Sequence, residues 1–299
     1  MLIKKAGGIV DTKAWMKRID GVTPLSLINI PGTHNSATQY IPLRYFSRCQ
    51  DKSVAEQLEL GVRYLDLRVE LSKGKLKLVH SIIDCKKSTF SFEKLWLDDI
   101  VGDCSRFVKD NPSETIIMNF QIDDGKDHLA ASDVLFERYV FPNKDIWFRE
   151  NKNPCLDECR GKLILARRTP ISDKIEFNDM NSGINFFDSG TDVKNERIIR
   201  SVKDGSTVFT AYVQDDFSVP PKAKWFNFVL PCLDEKKASE NSLLVNHLSA
   251  NNGFFSPKIT ADYVNKRFMS YELKKSEHYG IIPTDFITKE LSKKIIASN

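Results

Sequence analysis

No run of about 18 apolar residues occurs anywhere in the 299-residue chain, so no segment reads as a membrane-spanning helix. The opening stretch, MLIKKAGGIVDTKAWMKR, has no apolar stretch long enough for a secretory leader. The expectation is a chain that stays inside the cell, leaves by another route, or is given without its leader. Cysteine is sparse, with six residues scattered along the chain. Cys155 and Cys159 lack both zinc-knuckle spacing and a nearby histidine, so they read as buried or free thiols in a reducing compartment. There is no repeat, no low-complexity tract and no linker rich in Pro, Gly or Ser. Nothing therefore divides the chain, and a single domain over 1–299 is expected. A net charge of +4 is too mild for a nucleic-acid-binding face, although it suits docking on anionic lipid.

What is present builds a large core. Apolar residues make up 41% and charged residues 28%, the balance of a soluble globular chain. Ser53-Val54-Ala55-Glu56 reads as a capping box opening a short helix that Gly61 ends. VRYLDLRVEL (62–71) alternates with period two, with Leu65, Leu67, Val69 and Leu71 on one face and Tyr64, Asp66, Arg68 and Glu70 on the other. KLKLVH (75–80), TIIMNFQ (115–121), KLILARR (162–168), TVFTAYVQD (207–215), SLLVNHLS (242–249) and YGIIPTDFI (279–287) are further strand candidates. Helical patterns cover 92–109 and 289–297. Strands alternating with helices point to an α/β fold, and a (β/α) barrel accounts for them better than an open sheet. Helices look short or missing between 140 and 250.

In a barrel, ligands bind where strands end. His34, Arg68, His80, Gln121, Arg168, Asp215 and Asp285 all fall at or near the ends of apolar runs. His34 follows a Pro-Gly turn among Gly32, Thr33, Asn35 and Ser36, small neighbours that leave room for a ligand. Asp66 and Arg68, two apart on one strand, send an acid and a guanidinium into the same space; an ordinary ion pair on a solvated face fits them equally. His80 alone reads as a core histidine, and His128, His247 and His278 as structural or exposed. Taken together, two histidines, an arginine and two carboxylates complete a phosphodiesterase site: one histidine takes a proton, the other gives one, and arginine holds the phosphate. Such a site requires no metal, and the charge of Arg68 opposes one.

"IPGTHNS", "GVRYLDLR", "LVHS", "DNPSETIIMNF" and "YGIIPTDFI", in this order, closely resemble bacterial phosphatidylinositol-specific phospholipase C. The resemblance runs from about residue 24 to the end and is loosest over 140–250. It implies a distorted (β/α)8 TIM barrel that cleaves phosphatidylinositol, and often GPI anchors, without cofactor or metal, to diacylglycerol and a 1,2-cyclic inositol phosphate. By position, His34 is then the general base, Asp285 its orienting carboxylate, His80 the general acid with Asp66 supporting it, and Arg68 the phosphate ligand. Arg168 and Asp215 match contacts to the ring hydroxyls, and Phe217 an aromatic that stacks on the ring. Gln121 replaces a lysine of the bacterial enzymes. Asn35 stands where the secreted enzymes carry an aspartate that pairs with the arginine, which leaves Arg68 less tightly oriented. The same asparagine binds calcium in metal-dependent relatives. Secretion or peripheral membrane attachment also follows from the resemblance.

The implied partner is an inositol phospholipid at a membrane surface, met by a monomer, with no nucleic acid. Phe254 and Phe255 in SANNGFFSPK, and Trp225 in PPKAKWFNF beside two lysines, are the candidate membrane contacts; packing beneath a loop is their other reading. Two alternatives stand beside this function: a catalytically silent inositol-lipid binder, and a calcium-dependent form of the same phosphodiesterase.

Overall fold

The computed structural model describes residues 11–123, 128–172, 181–186, 197–203 and 206–299. Its strands are β1 (Ile30–Thr33), β2 (Tyr64–Ser72), β3 (Lys75–His80), β4 (Ile83–Asp84), β5 (Ile116–Ile122), β6 (Trp147–Phe148), β7 (Leu163–Arg167), β8 (Ile184–Asn185), β9 (Arg197–Lys203), β10 (Ser206–Gln214), β11 (Ser242–Asn246) and β12 (Ile281–Thr284). The order β6-β7-β5-β2-β1-β12-β11-β10 is parallel throughout. This sheet curls on itself, and β9 adds antiparallel to β10. Among the described residues no ladder joins the β7 arm to the β10 arm, which makes the barrel a distorted, open (β/α)8 arrangement.

Alternation along the strands explains the layers. Leu65, Leu67, Ile116, Met118, Phe120, Leu163 and Leu165 pack outward in one core with the helices. Ile30, Tyr64, Ile117, Ile164, Val245 and Ile281 fill the barrel interior in another. Moving two residues along β2 or β5 reaches the same interior face one layer up. There Tyr64 gives way to Asp66 and Arg68, and Ile117 to Asn119 and Gln121. Asp66 lies in register with Asn119, and Arg68 with Gln121. The interior is thus apolar below and polar at the carboxyl ends of the strands.

The opposite end is closed by a buried ion pair. Arg63, just before β2, donates from Nε (3.0 Å) and Nη2 (2.9 Å) to Glu114 Oε2, just before β5. Its remaining donors go to the carbonyls of Leu58, Val62, Thr12 and Lys13. Both side chains are fully buried, which is tolerable because every charge is answered.

The helix Val54–Glu59 opens with the expected capping box from Ser53 and Glu56, and Gly61 follows it at φ 107°. KLKLVH is not a barrel strand. It is β3, which folds back antiparallel onto β2 through Lys73 and Gly74, both at positive φ. Such a turn matches the twist of a hairpin, whereas a parallel strand would need a long crossover. The helical pattern of 92–109 begins only at Leu97 and runs to Asp110, with Asp98 and Asp99 in its first turn favouring the helix dipole. No described helix is long and apolar enough to cross a membrane.

Candidate active site

Three strand ends deliver the central side chains, and after each the chain turns sharply. His34 follows β1, His80 ends β3 and Asp285 follows β12. The next residues, Asn35 (φ 45°), Ser81 (φ 53°) and Phe286 (φ 50°), all take the left-handed conformation. Asparagine tolerates it; phenylalanine does so only where the surroundings enforce it, as they do at functional sites. The surroundings here are specific: the Phe286 N–H donates to the Cys49 carbonyl at 2.7 Å, and Gln50 Nε2 donates to the carbonyls of His34 (2.9 Å) and Thr284 (2.8 Å).

His34 Nδ1 donates to Asp285 Oδ1 at 2.8 Å, which fixes the tautomer and leaves the lone pair on Nε2. Asn35 Nδ2 donates to that nitrogen at 3.1 Å and lies 3.7 Å from Cys49 Sγ. Burial works against the imidazolium form of His34, but the charge and hydrogen bond of Asp285, with the charge of Asp66, together outweigh it and the pKa is raised. Burial also raises the pKa of Asp285, against the pull of His34.

Arg68 is held on two sides. Its Nε and Nη2 reach Asp66 at 3.1–3.3 Å, and its Nη1 reaches Asp123 Oδ1 at 3.4 Å. Burial disfavours the charge on Asp66, yet the guanidinium beside it holds the carboxyl well below the usual carboxylate range. The second oxygen of Asp123 accepts the Ser81 N–H at 3.0 Å, tying Arg68 to the turn after His80. Two expectations change here. Asp66 serves Arg68 and does not support His80, whose Nδ1 donates to the Ser47 carbonyl at 2.7 Å. Nor is Arg68 loosely oriented for want of an acid at 35: Asp66 and Asp123 orient it, and Asn35 turns to His34 instead. Burial pushes the pKa of His80 down to about 4, with the Ser47 carbonyl opposing and the charges of His34 and Arg68 adding to the fall.

Arg168 and Asp215 meet at 2.9 Å and join the two arms of the open sheet inside the mouth. Gln121 lies beside Arg68 in register and has a buried Oε1 without a partner. Asn119, fully buried one step below, has neither side-chain atom paired. The ring of Phe217 stands exposed at the rim. Sequence reasoning misses Asn119 and Asp123, although Asn119 shares the interior face of TIIMNFQ with Gln121. His278 is structural, donating from Nδ1 to the Leu27 carbonyl at 2.8 Å, and His128 is exposed.

Among the described residues, His34, Cys49 and Asp285 are the one group whose donor atoms cluster as a metal site would, within 4.8 Å of one another. His34 and Asp285 are already bonded to each other, and burial holds the Cys49 thiol firmly protonated. The acids beside Arg68 are likewise occupied by its guanidinium.

Around the mouth, Phe254 is exposed and Phe255 half-buried, their rings edge to face at 5.1 Å. Trp225 is not a membrane contact. It is buried with Val229 and Leu233, at i, i+4 and i+8 on the inward side of its helical turns, and Phe226 faces solvent instead. Lys224 is buried as well, donating to Gln214 Oε1 and the Asp216 carbonyl, both at 2.8 Å. Leu43, Tyr45 and Phe46 are also exposed, and the sequence does not single them out because lone aromatics in a short polar segment carry no pattern.

Residues 24–169 match the model of the phosphatidylinositol-specific phospholipase C X domain. The 1-phosphatidylinositol phosphodiesterase of Listeria monocytogenes is 26% identical over 305 aligned positions, covering 97% of this chain and 86% of that protein. Its counterpart in Staphylococcus aureus is 28% identical over 189 positions, 59% of this chain and 58% of that one. The solved structure of phosphatidylinositol-specific phospholipase C from Listeria monocytogenes superimposes with a TM-score of 0.76 at 25% identity, over 97% of this chain and 99% of that one. With the barrel and its strand-end residues in hand, these likenesses carry one conclusion: in sequence over 24–169 and in fold over nearly its whole length, the chain is similar to the bacterial phosphatidylinositol-specific phospholipases C.

Proposed function

We propose that this enzyme is a phosphatidylinositol-specific phospholipase C that works by two-histidine acid–base chemistry. The inositol 2-hydroxyl attacks phosphorus while His34 Nε2 accepts its proton. The bond from phosphorus to the diacylglycerol oxygen breaks, and His80 Nε2 supplies the proton that oxygen needs. Diacylglycerol and a 1,2-cyclic inositol phosphate leave. Arg68, locked between Asp66 and Asp123, presents fixed donors to the phosphate oxygens as charge builds on them. The observation that carries this reading is the His34–Asp285 bond, which leaves Nε2 as the basic nitrogen of His34, an atom that Asn35 Nδ2 occupies until the 2-hydroxyl takes its place.

The inositol ring then lies over Asn119 and Gln121, with Arg168 and Asp215 on its hydroxyls and Phe217 against its face. A GPI anchor carries the same inositol phosphodiester and is the second candidate substrate. The exposed side chains of Leu43, Tyr45, Phe46 and Phe254 rim the mouth and enter the headgroup layer of the membrane.

The test is to incubate the protein with phosphatidylinositol vesicles and EDTA, following water-soluble product by phosphorus NMR. Cyclic phosphate formed in the presence of chelator is the expected result. Product only with added calcium would make Asn35 a metal ligand and overturn the role of Arg68. No product under either condition would favour a silent lipid-binding domain.

A further inference from the structure

His247 has no part in the chemistry above, yet its surroundings demand a partner. It follows β11, whose interior residues are Leu243 and Val245, so alternation sends its ring into the same interior. The side chain is completely buried, and neither Nδ1 nor Nε2 has a hydrogen-bond partner. Its backbone is pinned, however. The His247 N–H donates to the Gln214 carbonyl at 3.0 Å, and Gln214 Nε2 donates back to the His247 carbonyl at 3.0 Å. The ring is therefore held in place with two idle nitrogens, a costly state that buried polar groups rarely keep without a ligand or ordered water.

Its neighbours say which ligand group belongs there. The His34 ring stands edge to face with it, centroids 6.0 Å apart. On its other side Asp215 Oδ1 lies 3.9 Å from Nδ1, too far for a hydrogen bond and already close to Arg168 through the second oxygen. Around the barrel, the strand order β2-β1-β12-β11-β10 sets Arg68, His34, Asp285, His247 and Asp215 in sequence. An inositol phospholipid presents a matching series: phosphate on C1, the nucleophilic hydroxyl on C2, then the hydroxyl on C3. Burial keeps the imidazole neutral, its pKa pushed down to about 3. A neutral imidazole offers one donor and one acceptor, which complements a hydroxyl and does not complement a phosphate monoester.

We infer that His247 is a specificity-determining residue that hydrogen-bonds the inositol 3-hydroxyl, so that the enzyme takes inositol lipids free at that position and rejects those phosphorylated there. The inference rests on the phospholipase reading above and assigns a contact within its pocket.

The experiment compares kcat/KM on phosphatidylinositol and on its 3-deoxy analogue for the wild type, His247→Phe and His247→Gln. The wild type is expected to favour the natural lipid by about 10- to 100-fold, because the analogue leaves a buried group unpaired. His247→Phe should lose that factor on the natural lipid and hardly change on the analogue, bringing the ratio near one. Glutamine, which keeps a donor and an acceptor, should restore part of the preference. Equal losses on both lipids would mean a merely structural role and overturn the inference. So would full discrimination by the phenylalanine variant. If that variant does not fold, a wild type indifferent to the 3-hydroxyl overturns the inference on its own. A wild type that cleaves neither lipid would remove the phospholipase reading itself, and this inference with it.

Discussion

His80 gives its Nδ1 proton to a main-chain carbonyl, that of Ser47 at 2.7 Å, and to no carboxylate. His34, in contrast, gives its own to Asp285. This difference separates the two proton affinities: burial lowers that of His80 to about 4, and Asp285 with Asp66 more than offsets burial at His34. In the free enzyme a single proton shared by the pair rests mostly on His34, whereas the proposed reaction needs it on His80. An anionic phosphodiester beside His80 and Arg68 shifts it in the required direction. The pair titrates as a unit, so kcat/KM should be level between a lower limb near 4 and an upper limb above 6.5. A lower limb near 6.5 would show that His80 is not the second titrating group.

Replacing Asp285 with Asn keeps the shape of the site and removes the charge that raises the pKa of His34. The upper limb of the same profile should then move down toward lower pH. Loss of the fixed tautomer should cost about 10²- to 10⁴-fold in kcat, the range for a positioned acid–base group. A variant with the wild-type upper limb would mean that Asp285 does not set the affinity of His34 for its proton.

Arg68→Lys tests geometry at constant charge. Lysine cannot span Asp66 and Asp123 with a planar fork, so the ammonium loses its fixed aim. A fall in kcat of about 10²- to 10³-fold is expected, comparable to the loss of one preorganised donor. Activity within a few-fold of wild type would leave no role for the planar fork.

Much of this site is legible in the sequence because strands alternate with period two and barrels place chemistry at strand ends. His34, Asp66, Arg68, His80 and Asp285 all stand out in that way. What cannot be read are partners supplied by segments without periodicity. Ser47 sits in a short turn, and Asp123 just beyond the end of β5, so their contacts depend on how loops close. The family resemblance assigns Asp66 to His80, whereas the period-two spacing of the strand already offers the ion pair with Arg68 that the structure has. Trp225 is misplaced because a membrane-facing aromatic and a core aromatic look alike until the inward side of the helix is known. "DNPSETIIM" teaches a separate lesson. This stretch, the most specific of the resemblance, owes its glutamate to the far end of the barrel, where Glu114 receives Arg63.

Two histidines held neutral, the fully buried His247 and the half-buried His80, also make stability depend on pH. Unfolded, His80 and His247 take up protons near 6.5; folded, they resist until about 4 and about 3. The unfolded state therefore binds more protons as the pH falls below 6.5, and stability falls with it. Each histidine costs roughly 2 kcal/mol by pH 5. His34 works in the opposite sense, because its raised pKa adds stability at low pH that is lost as the pH rises above 6.5. Urea unfolding at pH 7.5 and pH 5 should show a net loss that His80→Gln reduces by roughly 2 kcal/mol. An unchanged pH dependence in that variant would contradict the lowered proton affinity of His80.

The rim can be tested apart from the chemistry. Phe46 and Phe254 are 54% and 79% exposed, and the two segments touch: Asn251 Nδ2 donates to the Phe46 carbonyl at 3.1 Å. Neither ring supports the core, so Phe46→Ser with Phe254→Ser should leave folding intact. Insertion of each ring into the headgroup layer gains on the order of 1–2 kcal/mol from its buried apolar area. Together they should cost about 10- to 1000-fold in partitioning onto phosphatidylinositol-containing vesicles, read by sedimentation. The rings touch neither His34 nor Arg68, so hydrolysis of a water-soluble cyclic inositol phosphate should stay within about two-fold of wild type. Equal losses on the soluble substrate would place the rings in the pocket, and unchanged vesicle binding would leave the membrane to another face.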